Sequence, residues 1–249
     1  SMFVITMAGL SSRFFNAGYT VPKYQLPLHG QTVFYHSINS FHNYFHSDDF
    51  IFIIRNIFET SVFIKSECKK LGIKNFEIIT LDKETRGQAE SAYIGLKDIN
   101  YTDGIYIFNI DTIRHDYTKP DFINNCDGYL EVFEGEGKHW SFILPDQNGN
   151  VSRTTEKIRI SNLCSDGLYY FKDKYIFESA FNNAVKKNNE IAGEYYVAPL
   201  YNTLIQDGKV IKYELVNNSF IDFCGTPEEY NLLLSQPYKF VEKYEENNF

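Results

Sequence analysis

The chain has 249 residues, of which 24 are Lys or Arg and 32 are Asp or Glu, so its formal net charge is −8. A chain of this length can form one large α/β domain or two small ones. A composition of 43% hydrophobic and 22% charged residues excludes a wholly disordered protein. The acidic balance and the lack of a basic stripe argue against a nucleic-acid partner.

The four cysteines are far apart in sequence and form neither a zinc-binding spacing nor a dense disulfide framework. They are Cys68, Cys126, Cys164 and Cys224. We therefore expect reduced thiols in a cytoplasmic protein. No run approaches the roughly 20 apolar residues of a membrane span, and the first residues lack the basic region of a signal peptide. We expect no membrane partner.

Short apolar runs alternate with helical segments over the first part of the chain. Buried strands are predicted at 3–8, 50–54, 76–80 and 105–110. Helices are predicted from apolar spacing and capping residues at 31–45, 61–71 and 88–96. Strands that alternate with helices in this way predict βαβ units and a parallel sheet.

The second half has a different pattern, in which strands cluster before helices. Strands are predicted at 129–133, 140–144, 168–171 and 210–216, with a hairpin-type turn at 145–150. Helices are predicted at 174–187, 195–206 and 227–235. No linker or repeat interrupts the chain. We therefore expect a single α/β domain over 2–240, with a mostly parallel mixed sheet flanked by helices (Rossmann-like), and a polar, frayed tail over 241–249.

A loop of small residues follows the first predicted strand. It consists of Ala8, Gly9, Leu10, Ser11 and Ser12. Small residues let backbone N–H groups approach a phosphate closely. The planar guanidinium of Arg13 can donate two parallel hydrogen bonds to phosphate oxygens. Lys23, which follows Pro22, adds a second cation. The loop alone would also fit a plain strand-to-helix turn, but these two cations favour a phosphate site.

Together, the loop, Arg13-Phe14 and Pro22-Lys23 resemble the N-terminal signature of the nucleoside-diphosphate-sugar pyrophosphorylases, a nucleotidyltransferase family. The family pattern is A-G-x-G-[ST]-R-[FLM] followed by P-K, and Ser11 stands here at the usual second glycine. The resemblance covers roughly 2–235. It implies a GT-A-type nucleotidyltransferase fold, with 2–125 as the nucleotide-binding half and 126–240 as the acceptor-binding half.

Two aspartates are the candidate metal ligands. Asp111 follows a buried strand, where an Asp can also serve simply as a helix or turn cap. Asp222 begins the segment D-F-C-G-T-P-E-E-Y, which resembles the family motif D-[IVF]-G-T-P-E-[DE]-[YL] with Cys224 as an extra residue. The resemblance implies that Asp111 and Asp222 hold Mg²⁺, a hard cation that prefers oxygen ligands. His115 is the one histidine close in sequence to this candidate site.

Four further residues take their roles from the resemblance. Gln88, at the start of a predicted helix, would contact the nucleobase, because its amide can both donate and accept a hydrogen bond. Lys157 would meet the acceptor phosphate, and Gly167 would let the acceptor lie close to the backbone. Glu194 would bond an acceptor hydroxyl or ammonium group. Gln88 also fits a capping turn, and Lys157 and Glu194 also fit ordinary surface charges.

The expected reaction is attack of an acceptor phosphate on the α-phosphorus of a nucleoside triphosphate, with release of pyrophosphate. Arg13 and Lys23 would be the catalytic cations. CTP is the first choice of nucleotide, before UTP or dTTP. The acceptor would be a sugar phosphate or a small phospho-compound such as phosphocholine or a phosphorylated amide, activated for cell-surface polysaccharide synthesis.

Two other functions stay open. One is a GT-A-type glycosyltransferase that uses a sugar nucleotide, although such enzymes carry D-x-D where this chain has Asn109-Ile110-Asp111. The other is a non-catalytic nucleotide-binding subunit. Pyrophosphate release separates the proposed reaction from both, because neither alternative produces it.

Overall fold

The computed structural model describes residues 1–240. The strands are β1 (Met2–Thr6), β2 (Pro27–Leu28), β3 (Gln31–Thr32), β4 (Asp49–Arg55), β5 (Phe76–Leu81), β6 (Ile105–Phe108), β7 (Thr112–Arg114), β8 (Gly128–Glu134), β9 (Ser141–Pro145), β10 (Val151–Glu156), β11 (Leu163–Phe171), β12 (Ile211–Leu215) and β13 (Ile221–Phe223). The helices are α1 (Ser12–Asn16), α2 (Val33–Asn39), α3 (Thr60–Leu71), α4 (Gln88–Leu96), α5 (Lys174–Lys186), α6 (Leu200–Gln206) and α7 (Pro227–Leu234).

A mixed sheet of nine strands forms the centre of the described chain. Its main path runs β10-β9-β11-β6-β1-β4-β5, and β8 joins β11 to β12. β6, β1, β4 and β5 are parallel, whereas β11 is antiparallel to β6. The predicted α/β fold, with a mixed sheet flanked by helices, is confirmed. Because β1 is central and parallel to both neighbours, its carboxyl end opens onto the edge where such sheets bind ligands.

Alternate residues of the central strands face two separate core layers. Val4, Ile53 and Ile107 pack with α4, α5 and α6 on one side of the sheet. Phe3 and Phe52 pack with α2 and α3 on the other side. On that second side aromatic rings fill the layer, so the high aromatic content of the chain is largely core packing.

The structure corrects two sequence predictions about helices and adds one small sheet. The helix expected over 195–206 begins only at Leu200, because the backbone of Tyr195 is bonded to Arg86 and Ala89 and Pro199 stands at the helix start. The helix expected over 31–45 ends at Asn39 and is followed by a short 3₁₀ turn. The small sheet of β7 and β13 was not predicted, because its three-residue strands pair across more than a hundred positions.

Two sequence predictions fall outside these observations. The tail at 241–249 lies outside the described residues, and the division into a nucleotide-binding half and an acceptor-binding half stays a prediction. Within residues 1–240, no helix combines the length and apolar character needed to cross a membrane.

Candidate active site

The loop after β1 turns sharply at Ser11. Ser11 has a left-handed backbone (φ 55°), and its carbonyl accepts hydrogen bonds from the N–H groups of Phe14 and Phe15. Its hydroxyl accepts a hydrogen bond from the Lys23 N–H at 3.1 Å, which ties the loop to the Pro22-Lys23 segment. A Cβ at Gly9 would meet no protein atom within 4 Å, so the loop faces open space.

The other loop residues lie around that space. Ala8 is partly buried against the core layer under α4, and Leu10 and Ser12 are exposed. Arg13 is also exposed, and among the described residues it forms no side-chain hydrogen bond or ion pair. An unpaired guanidinium beside an open backbone loop is suited to an anionic ligand.

Lys23 and Asp111 meet at the carboxyl edge of the sheet. The Lys23 Nζ lies 2.8 Å from the Asp111 Oδ2, and both side chains are about a quarter exposed, at 23% and 25%. The N–H of Cys224 donates to the Asp111 carbonyl at 2.9 Å. Gly225 is next to the same carboxylate, since a Cβ there would lie 2.7 Å from Oδ2. The motif glycine therefore leaves room beside Asp111.

Asp222 has different partners. Its Oδ2 lies 2.6 Å from the His115 Nε2, and its Oδ1 accepts a hydrogen bond from the Lys239 Nζ at 2.8 Å. Burial would raise the pKa of Asp222, but the hydrogen bonds from His115 and Lys239 outweigh burial and leave the pKa below its usual value. Asp222 is only 6% exposed. The structure therefore places Asp111 and Asp222 in separate ion pairs.

These surroundings decide how each aspartate fits Mg²⁺. Asp111 has one oxygen paired with Lys23 and no described partner on the other, which fits a cation held by one carboxylate and substrate phosphates. Asp222 does not fit as it stands, because both of its oxygens are already bonded. Within residues 1–240, no group of three or more His, Cys, Asp or Glu side chains is arranged to hold a metal ion.

Gln88 lies at the carboxyl end of β1, as the first residue of α4. Its Nε2 donates to the Thr6 Oγ1 at 3.0 Å. The preceding Gly87 has φ 103°, and a Cβ there would lie 2.9 Å from the Tyr195 carbonyl oxygen. Gly87 thus brings the start of α4 against the segment that contains Glu194.

The structure links Lys157 and Glu194 through a tyrosine. The Lys157 Nζ donates to the Tyr196 hydroxyl at 2.9 Å, and that hydroxyl donates to the Glu194 Oε2 at 2.8 Å. The hydrogen bond to Tyr196 raises the pKa of Lys157. The Lys157 N–H also donates to the Trp140 carbonyl at 2.9 Å. Tyr196 was not singled out from the sequence, although it stands two residues after Glu194.

Gly167 brings β11 close to the end of β6. It has φ 100°, and a Cβ there would lie 2.6 Å from the Asn109 Nδ2. The Asn109 Oδ1 is buried and has no hydrogen-bond partner within residues 1–240. An orphaned acceptor two residues before Asp111 is suited to a donor from a ligand. Gly167 therefore lets β11 pack against Asn109, two residues before Asp111.

A buried charge cluster underlies this region. Arg114 donates to the Glu131 carboxylate, and both side chains are buried. Asp166, next to Gly167, is also buried. Burial, together with the charge of Glu131, raises the pKa of Asp166 well above its usual value. Burial and the Glu131 charge therefore favour the protonated form of Asp166.

Comparison with solved structures reveals the family. The chain is 48% identical to the nucleoside-diphosphate-sugar pyrophosphorylase from Vibrio cholerae RC9, with 94% of this chain and 100% of that chain covered and a TM-score of 0.91.

Other similar structures share the fold at low identity. They include the inositol-1-phosphate CTP transferase from T. maritima, at 12% identity over 96% of each chain with a TM-score of 0.72. A second is a putative glucose-1-phosphate thymidylyltransferase from Bacillus anthracis, at 16% identity over 95% of each chain with a TM-score of 0.74. No protein-family model and no curated sequence matches the chain. The extensive identity with the Vibrio cholerae protein shows that the chain belongs to the nucleoside-diphosphate-sugar pyrophosphorylase family of nucleotidyltransferases.

Proposed function

We propose that this nucleotidyltransferase moves CMP from CTP to a phosphorylated small-molecule acceptor and releases pyrophosphate. The observation that carries the proposal is the Lys23–Asp111 pair beside the open loop at the carboxyl edge of the sheet. A catalytic cation and a free carboxylate oxygen at that edge suit a triphosphate with its metal.

In the proposed reaction an acceptor phosphate oxygen attacks the α-phosphorus of CTP in line. A new bond joins that oxygen to the α-phosphorus, and the bond to the β-phosphate oxygen breaks. The nucleophile is already anionic, so the step needs no general base, and catalysis is positioning plus charge stabilisation. Arg13 and the loop at 8–12 would hold the departing pyrophosphate, and Lys23 would hold the α-phosphate.

Asp111 would hold Mg²⁺ together with phosphate oxygens of the nucleotide. The cation would neutralise charge that develops on the phosphates. Asp222, the second ligand expected from the family motif, would have to release His115 or Lys239 before it could join. Lys23 would turn from Asp111 to the α-phosphate of a bound nucleotide, because its bond to Asp111 is its one side-chain ion pair among the described residues.

The nucleotide assignment rests on side chains of this chain. The fold neighbours carry names that refer to CTP and to thymidylyl transfer, so the shared fold does not select a base. The segments at 140–141 and 193–195 resemble those of pyrimidine-specific members, which favours CTP, then UTP or dTTP. Gln88, bonded to Thr6, would face the base edge.

The acceptor would lie between β11 and the Lys157–Tyr196–Glu194 chain of hydrogen bonds. Lys157 would pair with the acceptor phosphate, and Glu194 would accept a hydrogen bond from a hydroxyl or ammonium group. A sugar phosphate presents a phosphate and a hydroxyl donor, and a phosphorylated amide presents a phosphate and an N–H donor. Phosphocholine presents a phosphate and a quaternary ammonium group, which would pair with Glu194 by charge alone. The product would be an activated precursor for cell-surface polysaccharide.

Pyrophosphate release with Mg²⁺ tests the proposal. CTP, UTP, dTTP, ATP and GTP are each combined with a panel of phosphorylated acceptors. We expect release with CTP and one acceptor. Lys157→Met should raise the KM for that acceptor about tenfold or more with little change for CTP, whereas Lys209→Met, at an exposed site, should change neither.

Two results would contradict the proposal. Hydrolysis of a sugar nucleotide without pyrophosphate release would indicate a glycosyltransferase. Tight nucleotide binding without turnover on any acceptor would indicate a non-catalytic subunit.

A further inference from the structure

Arg55, the last residue of β4, carries a guanidinium with no partner among the described residues. Its Nη1 is buried and donates to no hydrogen-bond acceptor within the described part of the chain. A buried donor left unpaired is costly and is rare in folded proteins. The residue therefore calls for an acceptor that is not part of residues 1–240.

The strand register locates Arg55 on the α4 side of the sheet. Arg55 pairs with Leu81 of β5, and Leu81 belongs to the core layer beneath α4. Ile53, two residues earlier and therefore on the same face, belongs to that layer as well and pairs with Thr6 of β1. Gln88 reaches Thr6 from the start of α4. Arg55, Thr6 and Gln88 thus share one face at the carboxyl edge.

Arg55 and the proposed phosphate site lie on opposite sides of the loop at 8–12. β1 has β6 on one side and β4 on the other. Asp111, paired with Lys23, follows β6, whereas Arg55 ends β4. A nucleotide whose phosphates lie at Lys23 and whose base lies at Gln88 would place the base, and not a phosphate, nearest Arg55.

We propose that Arg55 is a base-specificity residue that reads the pyrimidine edge of the nucleotide, an inference that rests on the proposed CTP reaction. A guanidinium presents two parallel N–H donors in a rigid fork. Cytosine offers two adjacent acceptors, O2 and N3, which match that fork. Uracil and thymine carry N–H at position 3, so a donor would face a donor, and the mismatch would leave buried polar groups unpaired.

The test is calorimetric binding of CTP and UTP to the wild-type chain and to three variants. In Arg55→Met we expect the preference for CTP over UTP to fall about tenfold or more, mainly through weaker CTP binding. Arg55→Lys keeps the charge without the fork, so its preference should fall as well. Lys97→Met removes an exposed charge at the far end of α4 and should leave the preference unchanged.

Thermal unfolding checks that each variant is folded. If Arg55→Met does not fold, Arg55→Lys alone tests the loss of the CTP preference. An unchanged CTP preference in a folded Arg55 variant would overturn the inference while the proposed reaction stands. An equal loss of affinity for every nucleotide would also overturn it, because that result indicates a general charge effect. A wild-type chain that prefers UTP, or binds no nucleotide, would contradict the CTP reaction itself and the inference with it.

Discussion

At the scale of single residues, two aspartates with the same expected role have different surroundings. Asp111 keeps one carboxylate oxygen without a described partner, whereas Asp222 is bonded through both oxygens to His115 and Lys239. A carboxylate that bonds a histidine and a lysine acts as an anchor for both side chains. This difference separates the two motif aspartates in a way that the motif alone does not.

The contrast predicts different effects of removing each charge. Asp111→Asn should lower kcat about 10²-fold or more, because a metal-binding charge at the transition state is lost, and it should weaken Mn²⁺ binding. Asp222→Asn should keep Mn²⁺ binding and destabilise the fold by about 1–2 kcal/mol, because His115 and Lys239 lose a charged partner. Electron paramagnetic resonance with Mn²⁺ and urea unfolding measure both effects. Equal loss of Mn²⁺ binding in the two variants would restore Asp222 as a metal ligand.

Sequence reasoning could propose site residues only where their signals are local. Arg13, Lys23 and Asp111 stand in short motifs that follow buried strands, and the structure brings Lys23 to Asp111. Tyr196 was missed because a tyrosine after Glu194 has no distinct pattern, and Arg55 was missed because its one signal is weak. A single charged residue that closes a buried apolar strand was the available signal for Arg55.

At the scale of elements, the start of α4 depends on a glycine. Gly87→Ala should destabilise the protein by about 2–4 kcal/mol, because the Gly87 backbone (φ 103°, ψ −178°) lies in a region almost confined to glycine and the new Cβ would press on the Tyr195 carbonyl. Gly208→Ala shares a positive φ but meets no atom within 4 Å, so it should cost only about 1–2 kcal/mol. Chemical unfolding measures both, and equal costs would contradict the close packing of α4 against 194–195.

A second element-scale prediction concerns the buried cluster that joins β7, β8 and β11. The folded-state pKa of Asp166 is raised by burial and by Glu131, so folding takes up a proton once the pH exceeds the unfolded value near 4. Stability should therefore fall as pH rises above about 4, by up to about 1.4 kcal/mol per pH unit. Asp166→Asn should flatten that slope, whereas the same change at the exposed Asp82 should not.

Urea unfolding between about pH 5 and about pH 7 measures this slope for all three proteins. If the stability of Asp166→Asn falls with pH as steeply as that of the wild type, a group other than Asp166 causes the pH dependence. A much less stable Asp166→Asn variant at neutral pH would show that Asp166 is ionised in the fold.

At the scale of the whole molecule, the order of strands and helices in the first half was predictable, because apolar periodicity and Gly72 as a C-cap are local signals. The pairing of β7 with β13 and the true start of α6 could not be predicted from the sequence. Both depend on contacts between distant segments: Tyr195 is held by Arg86, far earlier in the chain. The backbone hydrogen bonds of Tyr195 therefore keep 195–199 out of the helix that the local sequence favours.

The central claim is that this site transfers a nucleotidyl group to a phosphate. Reactions with CTP labelled at the α-phosphorus, and separately at the γ-phosphorus, test it directly in the presence of Mg²⁺ and the acceptor panel. We expect the α-label in an acceptor-linked diphosphate and the γ-label in pyrophosphate. Recovery of the α-label as free CMP, or as unchanged CTP with every acceptor, would contradict it.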